Sequence, residues 1–183
     1  MKVTFVTGNA GKAKYFSELI GREVDHQAVE TEEIQSLELG KIAEHKARQA
    51  YAKLQSPVIV EDTALVINSL GQLPGPFIKW FEESMGFEKV CRLADISPDR
   101  SAVASSVYAY YDGQSLELFP GDLAGTIADH PRGQDGFGWN PIFIPHYADK
   151  TLAEMEDAEF KKAYVQIKSI YKLRDFLDSL DKK

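Results

Sequence analysis

A turn of small residues ending in a lysine, Thr7-Gly8-Asn9-Ala10-Gly11-Lys12, has the make-up of an anion cradle. Glycine admits an anion close to the backbone, the free N–H groups of a helix start point at it, and Lys12 adds a movable positive charge. Gly and Asn serve equally in a plain strand-to-helix turn that needs positive φ, and the stretch alone leaves both uses open. It departs from the P-loop pattern, because its spacing is short and Ala13 stands where Ser or Thr should follow the lysine. Further on, Glu61-Asp62-Thr63 sets two adjacent carboxylates at the end of an apolar run. Successive strand residues point to opposite faces, so one carboxylate is structural or capping and the other is free for chemistry. Lys46 falls within an apolar helical stripe, either snorkelling from its edge or held as a cation for an anion. Phe137 and Trp139, in a glycine-rich loop, either stack on a flat ring or tack the loop down.

Periodicity supplies the elements that must position these groups. Val3-Thr4-Phe5-Val6 reads as a buried strand, followed by a helix from about Lys12 to Ile20. Residues 23–29 give a second strand and 30–36 an acidic segment, in which Ser36 or a close neighbour caps the next helix. That helix, from about Leu37 to Leu54, shows Leu39, Ile42, Ala43, Ala47, Ala50 and Leu54 at helical spacing. Pro57-Val58-Ile59-Val60 is a strand running into Glu61-Asp62. If it lies parallel to the first strand, Asp62 and the Thr7–Lys12 turn share one sheet edge, where ligands of open α/β sheets gather. Phe77 to Phe81 opens a short helix with Phe77, Trp80 and Phe81 expected in the core, leaving Lys79 as the exception to test. Two strands, 102–111 and 115–127, flank the hairpin signal Asp112-Gly113, and Gly121 and Gly125 suggest a bend or bulge in the second. A short strand covers 142–144, and one final helix is expected over Glu159 to Leu180.

With 183 residues, 44% hydrophobic and 27% charged, the chain suits one domain over 1–183 with a proper core. Its net charge of −7 argues against a nucleic-acid binder, which would carry a basic footprint, but not against small anionic ligands. A single cysteine, Cys91, excludes an internal disulfide and reads as a buried thiol. No signal peptide or membrane-spanning run is visible, so a cytoplasmic protein is the default expectation.

Five stretches occur in a familiar order: Thr7-Gly8-Asn9 with Lys12, Val60-Glu61-Asp62-Thr63, Leu73-Pro74-Gly75-Pro76-Phe77-Ile78-Lys79-Trp80-Phe81, Phe137-Gly138-Trp139 and Ala153-Glu154-Met155. In this register the chain resembles the Ham1 / inosine triphosphate pyrophosphatase family over nearly its whole length. The resemblance implies an elongated α/β fold, two lobes around a central cleft with a long twisted mixed sheet flanked by helices, and a homodimer. It implies Mg²⁺-dependent hydrolysis of (deoxy)nucleoside triphosphates to monophosphate and pyrophosphate, with inosine and xanthosine nucleotides preferred. By the same resemblance, the Thr7–Lys12 turn, with Asn9 and Lys12 foremost, and Lys46 and Lys79 hold the phosphates. Asp62 is general base and metal carboxylate, Glu33 is the second metal carboxylate, Thr63 touches substrate, and Phe137, Gly138, Trp139 and Asn140 line the base pocket.

The chain also departs from that pattern. The family's Ser-His-Arg near the last helix falls at Tyr164-Val165-Gln166, and the lysine before it falls at Phe160, beside Lys161 and Lys162. Asn140 stands for an aspartate, Ala64 for a glycine and Tyr15 for a glutamate. The phosphate end is therefore largely kept and the base-reading end rewritten, which forfeits discrimination built on donors to a 6-oxo group. Two other outcomes stay open: a nucleotide sensor or scaffold without turnover, and a pyrophosphatase for a pyrimidine or modified nucleotide.

Overall fold

The computed structural model of the chain describes residues 2–134 and 138–182; Phe137 lies outside the described residues. Among the described residues the strands are β1 (Thr4–Val6), β2 (Asp25–Gln27), β3 (Val58–Ile67), β4 (Pro74–Gly75), β5 (Ser101–Tyr111), β6 (Leu116–Ile127) and β7 (Phe143–Pro145). The helices are α1 (Ala10–Ile20), α2 (Leu39–Leu54), α3 (Ile78–Met85), α4 (Phe87–Leu93), α5 (Asp157–Lys168) and α6 (Ile170–Leu180). The strands form one sheet in the order β2-β1-β3-β5-β6-β7, with β4 paired to β3. It is mixed: β1 runs parallel to both β2 and β3, while β4 and β7 run antiparallel to β3 and β6. The α/β expectation, helices flanking a mixed sheet, therefore holds. The chain divides into two compact units, one of Met1–Asp62, Ser106–Pro120 and Lys168–Lys183, the other of Thr63–Ser105 and Gly121–Ile167.

In the first unit, alternation along β1 sends neighbouring side chains to opposite faces. Phe5 stacks on Phe16 of α1 with ring centroids 4.3 Å apart, and Tyr108 closes the group edge-on. Val6, with Val58 and Val60, packs instead on Ala43, Ala47 and Ala50 of α2, whose small side chains let the helix lie close to the strands. The expected α2 stripe is thus buried at Ile42, Ala43, Ala47 and Ala50. The helix begins at Leu39 with Glu38 in the N-cap position, and Ser36 Oγ accepts from Glu38 N just outside it. Asp112 Oδ1 accepts from Gln114 N and Ser115 N, closing the expected hairpin at Gly113, whose φ is +96°.

The single C-terminal helix expected over 159–180 is two helices. Ser169 between them has φ 48° and ψ 29°, in the left-handed region, and its hydroxyl donates to Pro120 O at 2.6 Å. Periodicity hides the break, because Ile170, Leu173 and Leu177 resume a buried stripe after it.

In the second unit, Trp80 corrects the aromatic expectation. It is 54% exposed, whereas Ile78 is buried and Phe81 and Met85 pack on the core, so the buried face of α3 runs i, i+3, i+7 and Trp80 points away. Gly125 marks a close approach rather than a bulge, since it pairs one-to-one with Pro145 in a regular ladder. A Cβ there would meet Ile144 O at 2.2 Å and the Phe143 ring at 2.6 Å. Gly125→Ala should therefore destabilise by about 1–3 kcal/mol, the usual cost of overpacking, read as a lower denaturant midpoint. Cys91 is fully buried, and that burial pushes its thiol up to about 11, in keeping with a structural thiol.

Candidate functional site

Parallel pairing of β1 and β3, with Thr4 opposite Val58 and Phe5 opposite Ile59, sets the carboxyl end of β1 beside the first half of β3, just ahead of Glu61 and Asp62. The chain leaves β1 into the Thr7–Asn9 turn and enters α1 two residues before the expected start. Asn9 is the N-cap: its Oδ1 accepts from Lys12 N at 2.9 Å, while Asn9 N donates to Thr7 Oγ1 at 3.1 Å. Neither Gly8 nor Gly11 has positive φ, so the turn does not use glycine for handedness. Gly11 is small because a Cβ would lie 3.3 Å from the capping Asn9 oxygen.

The strand expected to end at Val60 continues to Ile67, so Glu61 and Asp62 lie within β3, where the two carboxylates part as alternation requires. Glu61 turns inward and its side chain is 1% exposed. Lys12 Nζ lies 2.5 Å from its Oε2, Lys168 Nζ bonds its Oε1, and Ser106 Oγ donates to Oε1 at 3.3 Å. Burial alone would push Glu61 up; the Lys168 and Lys12 charges more than offset it and hold the carboxyl down to about 2. Burial likewise lowers Lys168, opposed by the Glu61 charge.

Asp62 is held from the other side. Lys46 Nζ donates to Asp62 Oδ1 at 2.9 Å and reaches Glu61 O at 3.5 Å, so it is pinned on Asp62. Asp62 Oδ2 is buried and accepts no hydrogen bond among the described residues. Burial raises the Asp62 pKa against the pull of Lys46, and the charges of Glu61 and Glu33 add to the rise. Glu33 is thus close enough to be felt at Asp62. It is carried there by the acidic segment, which α2 holds by its backbone. Gln49 bonds both Glu32 N and Glu32 O, and Lys53 Nζ donates to Glu30 O at 2.6 Å. Among the described residues no group of three or more His, Cys, Asp or Glu side chains is placed to hold a metal ion.

The Thr7–Lys12 turn, Glu33, Lys46 and Asp62 therefore belong to one unit, and Thr63, Lys79, Gly138, Trp139 and Asn140 to the other. Lys79 is exposed, 3.9 Å from Glu83 and over the Trp80 ring. Trp139 is 8% exposed and packs edge-on against Phe143, the anchoring alternative for that ring. Asn140 is buried. Of the residues standing for Ser-His-Arg, Tyr164 is buried, Val165 half-buried and Gln166 exposed. The sequence missed Glu61 and Lys168 as a pair. The one local sign was a lysine placed directly after buried Ile167, at helical spacing from Tyr164.

Residues 3–176 match the family model described as the Ham1 family. The chain belongs to the Ham1 family. Among curated Ham1 relatives, inosine triphosphate pyrophosphatase 2 of Trypanosoma cruzi is 38% identical over 177 residues, covering 94% of this chain and 90% of that one. The dITP/XTP pyrophosphatase of Methanopyrus kandleri is 40% identical over 159 residues, 85% of each chain. Among solved structures, a HAM1 protein from Coxiella burnetii superposes with a TM-score of 0.85 over 98% of this chain and 99% of that one. At 24% identity it speaks for the Ham1 fold alone.

Proposed function

We propose that this chain is a nucleoside triphosphate pyrophosphatase, cleaving (d)NTPs, inosine and xanthosine nucleotides among them, to the monophosphate and pyrophosphate. The observation that carries it is the cluster beyond the end of β1 and within β3, where two lysines, Lys12 and Lys46, flank the adjacent carboxylates Glu61 and Asp62. The names of the Ham1 relatives point the same way.

In the reaction a water oxygen bonds the α-phosphorus, the bond to the β-phosphate oxygen breaks, and the water proton goes to a carboxylate. Asp62 suits that role, since Lys46 fixes one oxygen, the other is unclaimed, and burial favours its protonated form. Lys12 and Lys46 stabilise charge on the leaving pyrophosphate. The Asn9 oxygen is committed to capping α1, so its NH₂ group is the part that meets phosphate.

The unclaimed Asp62 Oδ2, with Glu33 near, fits a hard cation that takes only two protein oxygens. When bound there, Mg²⁺ would neutralise and orient the phosphates. Thr63, Lys79 and the Phe137–Asn140 stretch are assigned to the nucleotide by resemblance, and so are a single two-lobed domain, the homodimer and a cytoplasmic location. The net charge of −7 supports the absence of a nucleic-acid partner.

Pyrophosphate release across canonical, deaminated and modified NTPs, with and without Mg²⁺, tests the proposal. Release from at least one NTP is expected. Tight nucleotide binding without release would make the chain a sensor, and neither would reject a nucleotide role. Val165 offers no donor, so ITP should be favoured over ATP and GTP less than a site with full readout allows, where discrimination reaches about 10⁴–10⁵. A strong inosine preference would instead give the reading of the base to Asn140 or Gln166.

A further inference from the structure

The proposed hydrolysis gives Glu61 and Lys168 no step, yet among the described residues theirs is the most deeply buried ion pair of the site. One carboxylate faces two ammonium groups, and the two differ in exposure: the Lys168 side chain is 11% exposed and that of Lys12 31%. Lys168 is turned inward at the end of α5, where the chain changes direction at left-handed Ser169, itself tied to Pro120 O. Ser106 adds a donor on the same Glu61 oxygen that Lys168 takes, so Oε1 is served from two sides while Oε2 faces Lys12. A buried carboxylate left without a cation is costly. Were Lys12 its only partner, drawing Lys12 to an anion would strand that charge.

We propose that Lys168 is a positioning residue for anion binding: by neutralising Glu61 permanently, it frees Lys12 to leave Glu61 and grip the triphosphate. Lys12 is then parked on Glu61 in the empty state and exchanges a carboxylate for a phosphate when substrate arrives. Lys168 itself touches no substrate. The inference rests on the proposed triphosphate chemistry and names the part of it that governs affinity.

The test is calorimetric binding of inorganic triphosphate, with NTP turnover measured in parallel. Lys168→Met should weaken triphosphate binding about tenfold or more, the scale of one hydrogen bond to a charged group. Lys168→Arg should keep most of it. Neutralising the carboxylate as well, in Lys168→Met with Glu61→Gln, should recover most of the loss, because Lys12 is then no longer held. The double variant replaces a buried pair by neutral groups, so it reports even if Lys168→Met alone fails to fold. Wild-type binding by a folded Lys168→Met protein would overturn the proposal. So would a double variant that stays weak, since Lys168 would then be a phosphate ligand in its own right. If the unaltered protein releases pyrophosphate from no NTP yet still shows this pattern with triphosphate, the hydrolytic function fails and the positioning role stands. Unaltered protein that does not bind triphosphate overturns the positioning role, whatever its turnover of NTPs.

Discussion

Asp62→Asn should lower kcat by ~10²–10⁴-fold, the usual worth of a positioned general base, with the fold intact. The substitution keeps the shape and one acceptor for Lys46 Nζ, which now sits 2.9 Å from Oδ1. What it removes is an atom able to take a proton from water. Asp62 is prepared for that by burial, which raises its affinity for a proton against the opposing pull of Lys46. Single-turnover measurement separates chemistry from product release. Turnover within a few-fold of wild type would take Asp62 out of proton transfer and leave it, at most, as a metal or lysine anchor.

The second large effect is on stability. Glu61→Ala should cost about 3–5 kcal/mol, the penalty for breaking a buried pair from one side, because Lys168 stays buried without its carboxylate. The cost should depend on pH in a defined direction. The Lys168 and Lys12 charges, against the opposing push of burial, hold the Glu61 carboxyl at about 2 in the folded chain, below its ordinary 4.5. On acidification the unfolded chain therefore takes up this proton first. The contribution of Glu61 is complete above about pH 4.5 and is lost as pH falls toward 2, a change of about 3 kcal/mol at 1.36 kcal/mol per unit. Asp62 works the other way: its pKa is raised by burial, so the folded chain protonates it first and gains stability on the same descent. Burial, the largest cause of that opposing contribution, is common to wild type and Glu61→Ala, and only the smaller part due to the Glu61 charge is lost with the carboxylate, so the difference between them is dominated by the Glu61 effect. Urea midpoints should show the gap closing between pH 4.5 and 2; a constant gap would mean that packing, not the ion pair, sets the cost.

Much of the fold was legible because its signals are local. The apolar runs of β1 and β3, the alanine stripe of α2 and the Asp112-Gly113 turn are read from spacing within a few residues. The parallel pairing of β1 with β3 was a condition the sequence left open, and the fold supplies it. What was not legible depends on partners remote in sequence. Lys168 meets Glu61 across 107 positions. No periodicity announces such a contact, and the uninterrupted stripe through Ile170 concealed the break at Ser169. Trp80 escaped for a different reason: three aromatics within five residues look like core, but only one face of a two-turn helix can be buried, and Ile78 and Phe81 took it. At the site, alternation along β3 correctly separated Glu61 from Asp62, but only the folded chain assigns the lysines, Lys12 to Glu61 and Lys46 to Asp62.

The way α2 secures the acidic segment has an evolutionary corollary. Among the described residues Gln49 and Lys53 grip the peptide groups of residues 30 and 32 rather than their carboxylates. Mutational drift at those two positions leaves the anchorage untouched, because every amino acid except proline brings the same amide. A lineage can therefore recolour the charge around Glu33 freely while the scaffold keeps delivering residue 33 to the same address.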